Sequence, residues 1–282
     1  MIKAAKPFIK GITRKTDPYK AFLTIYRRLI LTLDYDGIGL NKNVDDVMKD
    51  DTLRSLYSAL VSHKVVCAGY AVALQFLLNM VGIVCGYVIS ETKNNSCHAF
   101  NIVKIGKECY YVDPTWGDSS NTTTGDALKN EVGYNYCCVP YSEFILTSKE
   151  DLHNHIPSKE LYPELENLTS NKYEYYRYHN SYVTRCNEDV FVSIFAQQAN
   201  DYDEKEMGDF IISFRCSTSQ LASTVYDFVR DSANIDRIIK RAVSVLDEKY
   251  KGKNKKVFNN TSNLRYSKNV NNNIISIFFN RK

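Results

Sequence analysis

The stretch His98-Ala99-Phe100-Asn101-Ile102-Val103-Lys104-Ile105-Gly106-Lys107-Glu108-Cys109-Tyr110-Tyr111-Val112-Asp113-Pro114 reads as two strands around a tight turn. Its arms are rich in β-branched and aromatic residues, and Gly106-Lys107 is a hairpin signal of the glycine-first kind. Pro114 has no amide to donate and ends the ladder. With Ile105 opposite Glu108, Asp113 falls opposite Phe100, and His98 becomes its diagonal neighbour on the same face. A carboxylate beside a histidine fixes the tautomer and stabilises the imidazolium. A purely structural His–Asp pair has the same spacing, so chemistry needs a third group.

That group stands upstream. After Val65-Val66, Cys67-Ala68-Gly69-Tyr70 runs into Ala71, Leu74, Leu77 and Leu78, an amphipathic helix stopped by Gly82. A thiol at a helix N-terminus meets free amides and the positive end of the dipole, both of which favour the thiolate. Taken alone, Cys67 reads as a small core residue; with His98 and Asp113 it reads as a nucleophile. Residues 83–89 form a further strand and 91–96 a polar turn. Farther out, Asp17-Pro18 caps and opens a helix whose buried face is Phe22, Leu23, Tyr26, Leu29, Ile30 and Leu33. A loop carrying Gly37 and Gly39 follows, then a helix over about 51–60.

Three motifs, in order, resemble the transglutaminase-like superfamily, especially its bacterial members. They are Cys67-Ala68-Gly69-Tyr70-Ala71, His98-Ala99-Phe100-Asn101 and Val112-Asp113-Pro114-Thr115-Trp116. The resemblance covers about 17–124, with a weaker echo in Phe144-Ile145-Leu146-Thr147-Ser148 and Tyr175-Tyr176. It implies an α+β, papain-like transglutaminase core with Cys67 as nucleophile, His98 as base and Asp113 as orienting carboxylate. It also implies an oxyanion site made by the Cys67 amide and a side chain of the preceding helix, for which Tyr57 is the candidate. Where members often continue Trp-Asp-Asp, this chain has Trp116-Gly117-Asp118. Trp116, the sole tryptophan, is expected as a core residue beneath the hairpin, and Cys97 as an inert thiol on the face opposite His98.

Residues 1–165 are therefore read as the catalytic domain and 166–186 as a linker or cover segment. Residues 187–282 are read as a small α/β domain of unassigned role. In that last part 190–196, 210–214 and 274–279 read as strands, and 220–229 and 235–250 as helices.

Composition narrows the function. The 282 residues are 44% hydrophobic and 24% charged, as a globular core requires. A net charge of +4, from 36 basic and 32 acidic residues, is too small to argue for a nucleic-acid partner. No run approaches the ~18 apolar residues of a membrane span. The N-terminus lacks a signal-like apolar region, so a cytoplasmic location is expected, or a secreted or cell-surface one if a signal was removed. The eight cysteines contain no CxxC pair and are expected to be reduced. Cys137-Cys138 with His153-x-His155 matches no common zinc spacing, and no phosphate-binding glycine loop is present, so neither metal nor cofactor is expected. Lys249–Lys256 reads as a solvated basic loop. The function expected is thiol-dependent acyl transfer on peptide or side-chain amides of a protein or peptide substrate. Hydrolysis is favoured over cross-linking, because water is always present and no second amine site is evident. A non-catalytic scaffold of the same fold is the alternative; the oligomeric state is open.

Overall fold

The computed structural model describes residues 1–36, 51–90, 98–118, 132–146, 156–203, 207, 210–259, 261, 264–269 and 272–279. Cys97, His153 and His155 lie outside them, as do the loop glycines 37 and 39. The chain divides into two compact units, Met1–Tyr175 and Tyr176–Lys282. Both mix helix and sheet.

In the first unit, α1 (Ile2–Ile9) precedes α2 (Pro18–Thr32). Asp17 caps α2 by accepting from the Lys20 amide at 2.9 Å, and Pro18 sits where its missing N–H costs nothing. The face carrying Phe22, Tyr26 and Leu29 is fully buried. Two short strands, β1 (Asp34–Tyr35) and β2 (Lys64–Val65), pair in parallel with Tyr35 opposite Val65. Between them, 51–62 is not one helix but a 3₁₀ turn, Asp51–Arg54, followed by a π-helical turn, Ser58–Ser62. The break has a local cause: the Ser55 hydroxyl donates back to the Thr52 carbonyl, and the Leu53 carbonyl turns away to accept from Val66.

Helix α3 (Cys67–Met80) packs on an antiparallel sheet of β3 (Cys85–Ile89), β4 (Ala99–Ile105), β5 (Glu108–Val112) and β6 (Cys137–Val139), in that order. The β4–β5 register is Ile105 opposite Glu108 and Asn101 opposite Val112, with Gly106 at φ +64° taking the turn position that L residues avoid. Phe100, Tyr111 and Phe144, the last from α4 (Tyr141–Leu146), cluster on the sheet's other side. The stretch expected as linker or cover is partly built into this unit: Tyr173 stacks on Tyr19 at 5.0 Å and Tyr175 on Tyr134 at 3.6 Å.

The second unit has its own sheet, ordered β7 (Tyr182–Val183), β8 (Ile211–Cys216), β10 (Ile274–Phe278), β9 (Arg265–Asn269). Helices α5 (Glu188–Asp201), α6 (Ser219–Arg230) and α7 (Ser232–Tyr250) contribute to a core that includes Phe191, Phe195, Phe214, Ile238, Leu246 and Ile277. The strand expected over 190–196 is instead helix α5. Its Val-Phe-Val-Ser-Ile-Phe run suggests β structure, but Asn187 caps it by accepting from the Asp189 amide at 2.8 Å, and Phe191, Phe195 and Ala199 then recur at helical spacing. β9 was not expected at all: Arg265, Ser267 and Lys268 give it no apolar pattern, as suits an edge strand. No helix among the described residues is long and apolar enough to cross a membrane. Seven cysteines are described, and none is in a disulfide.

Candidate active site

Cys67 is the first residue of α3. Val66 before it is extended and offers no capping side chain, so the first-turn amides are left without a side-chain acceptor. Gly69 is obligatory: a Cβ there would lie 2.6 Å from Val65 Cβ and 2.8 Å from the Leu53 carbonyl oxygen. From β4, the fully buried Asn101 donates from Nδ2 to the Ala71 carbonyl (3.0 Å) and the Gly86 carbonyl (3.1 Å). It thereby ties α3 to the sheet, while its Oδ1 accepts no hydrogen bond among the described residues.

His98 precedes β4, and its backbone is fixed on both sides by Ser90. The His98 amide donates to Ser90 Oγ and the Ser90 amide to the His98 carbonyl, both at 2.8 Å. His98 Nε2 donates to Asp113 Oδ2 at 2.6 Å, which leaves Nδ1 as the nitrogen for Cys67. Asp113 is fully buried just past β5, where its amide donates to the Tyr136 carbonyl at 3.0 Å. Its other oxygen, Oδ1, accepts from the amides of Thr115 (2.9 Å) and Trp116 (3.1 Å). Three donors converge on one carboxylate, which is how a buried charge is kept.

The electrostatics follow. Burial pushes the Cys67 thiol up, but the hydrogen bond and charge of His98, with the Ala99 amide, outweigh it and hold the thiol below its usual range. Burial likewise disfavours a charged His98, yet Asp113 and Cys67 reverse this and push it up to about 10. Each of the two groups thus favours the charged form of the other. Cys85, which burial pushes up to about 12, is inert by comparison.

The loop after Asp113 explains the Trp-Gly-Asp order. A Cβ on Gly117 would collide with the hydroxyl and ring of Tyr26, whose hydroxyl donates to the Gly133 carbonyl at 2.7 Å. Asp118 accepts from the Tyr70 hydroxyl, joining this loop to α3 one turn beyond Cys67.

The residues singled out from sequence thus fall into two groups. Cys67, His98 and Asp113 come together. Tyr57 stands at the edge of the π-helical turn, 60% exposed, and its side chain makes no capping hydrogen bond. Tyr35 is the hydroxyl that the sequence did not point to: half-buried on β1, it is pushed up to about 12 by burial and by the charges of Cys67 and Asp113. Only the parallel pairing of two two-residue strands brings it there, and so short a pairing leaves no periodicity to read. Trp116 corrects an expectation. It is 43% exposed rather than buried under the hairpin, because its amide is committed to Asp113 and its ring is turned out beside His98. Among the described residues no group of three or more His, Cys, Asp or Glu side chains could hold a metal; Cys137 and Cys138 are buried on β6.

No protein-family model matches the chain, and neither does any curated protein. Among solved structures, a crystal structure of a TGase is similar at 17% identity and a TM-score of 0.36 over 44% of this chain. The chain spans 32% of that structure's length.

Proposed function

We propose that the first unit is a transglutaminase-like, thiol-dependent acyl-transfer enzyme acting on peptide or side-chain amides. The observation that carries the reading is Cys67 at a helix N-terminus, hydrogen-bonded to a histidine whose far nitrogen is 2.6 Å from a buried carboxylate. The Cys67 thiolate attacks the amide carbonyl carbon, and the electron pair of the C=O moves to oxygen. As the tetrahedral intermediate collapses, the C–N bond breaks and the amine leaves with the proton of the His98 imidazolium. His98, now neutral, takes a proton from water, the hydroxide adds to the thioester carbonyl, and the C–S bond breaks to give the acid and the thiolate. Asp113 holds the ring in the tautomer that both steps need.

The developing oxyanion requires donors fixed in advance. The Cys67 amide is one. For the side-chain donor, Tyr57 follows from the family resemblance, whereas Tyr35 has electrostatic proximity to Cys67 in its favour. Hydrolysis remains the preferred outcome because no amine-binding site is evident in the sequence; an amine in place of water would make the same intermediate a cross-link. The test is mass spectrometry of the protein with a peptide-amide library. A transient mass increase on the peptide containing Cys67, equal to the acyl group, supports the reading. Turnover without such an adduct would contradict the covalent route through Cys67, and no turnover at all speaks for the scaffold alternative.

A further inference from the structure

Trp116 is the chain's only tryptophan, and an amphipathic ring of that size is ordinarily largely buried. Here 43% of it remains exposed. The backbone is fixed on both sides: the Trp116 amide donates to Asp113 Oδ1 at 3.1 Å, and the next amide, of Gly117, to the Asp113 carbonyl at 3.1 Å. The ring stands nearly perpendicular to His98, with centroids 6.5 Å apart, and is backed by the buried Tyr136 at 6.1 Å. Thr115 beside it is buried. The other large exposed apolar residues of this unit include Met1, Ile2, Val84 and Leu161, none of which is tied by a hydrogen bond to a residue of the candidate triad.

Taking Cys67 as the nucleophile, as proposed above, we infer that Trp116 is a substrate-binding platform selecting peptides with an aromatic side chain next to the acyl group attacked. An aromatic ring packs on an indole in offset or edge-on geometry and gains beyond the area buried. A platform already fixed by its backbone loses little freedom on binding. Since the ring flanks His98, a carbonyl placed for attack by Cys67 has its neighbouring side chain within reach of the indole.

Two reagents of one chemistry test this: iodoacetamide and N-benzyliodoacetamide, each of which alkylates the Cys67 thiolate with a C–S bond formed, the C–I bond broken and iodide released. The quantity read is the ratio of their second-order rates at Cys67 within one protein, so any effect of a substitution on the thiolate itself cancels. The expected ratio is about tenfold in favour of the benzyl reagent, falling to near one in Trp116→Ala and partly retained in Trp116→Phe. A ratio near one in the unsubstituted protein, or one unchanged in Trp116→Ala, overturns the platform while leaving the nucleophile intact. Failure of both reagents to label Cys67 overturns the functional reading and the platform with it. A second measurement needs no variant, since all tryptophan emission comes from Trp116. The benzyl adduct should move that emission to shorter wavelength relative to the carbamidomethyl adduct, and identical spectra would overturn the proposal.

Discussion

His98 lies one residue before its strand begins and Asp113 one residue after its strand ends, yet Nε2 of the first is 2.6 Å from Oδ2 of the second. The hairpin register sets the approach, and the turn Asp113–Gly117 fixes the carboxylate by giving it two backbone amides. The Asp113→Asn variant keeps the shape but presents a carboxamide that can neither favour the imidazolium nor fix the tautomer. Turnover is expected to fall by on the order of 10³–10⁴, with KM little changed. Steady-state kinetics on a cleaved amide check this; a loss confined to KM would assign Asp113 to binding.

The pH dependence of the thiolate has a defined sign. Cys67 is held below the usual thiol range, so its reactivity is present above its lowered pKa and disappears as pH falls through it. His98, pushed up to about 10, keeps its charge across neutral pH, so the pair persists over that window. In His98→Ala the favourable charge is gone and burial remains. The rise in alkylation rate should then move above the ordinary thiol value of ~8.5. A stopped-flow pH–rate profile at Cys67 reads both.

Gly69→Ala tests the packing that seats α3. The new methyl would lie 2.6 Å from Val65 and 2.8 Å from a backbone oxygen that cannot rotate away. A loss of about 1–3 kcal/mol is expected from such overpacking. Urea unfolding checks it, and a midpoint unchanged from the parent would mean that the 3₁₀ turn at Leu53 yields easily.

Much of this was legible in the sequence, and the failures share a cause. The hairpin and its parity follow from residues adjacent in the chain, and the cap at Asp17 from a local rule, so both could be read directly. The sequence of helix α5 reads as a strand because its β-branched residues outweigh a single capping asparagine. Tyr35 and the outward ring of Trp116 depend on long-range pairing and on a turn whose amides are spent on Asp113, neither of which leaves a pattern in the sequence.

The two tyrosines are separated by substitution. Tyr35→Phe removes the hydroxyl near Cys67 and is expected to lower kcat by about 10²-fold, as loss of one oxyanion donor does. Tyr57→Phe, on an exposed side chain, is expected to change kcat less than twofold. The reverse order would return the oxyanion role to Tyr57.

Cys67, whose thiol is held below its usual range by His98, should stand apart from the other seven cysteines in reactivity. Iodoacetamide at pH 6, followed by peptide mapping, measures this directly. Rapid modification of Cys67 alone, abolished in Cys67→Ala while circular dichroism stays unchanged, is the expected result. Slow and even labelling of the accessible cysteines, with no preference for Cys67, would contradict it.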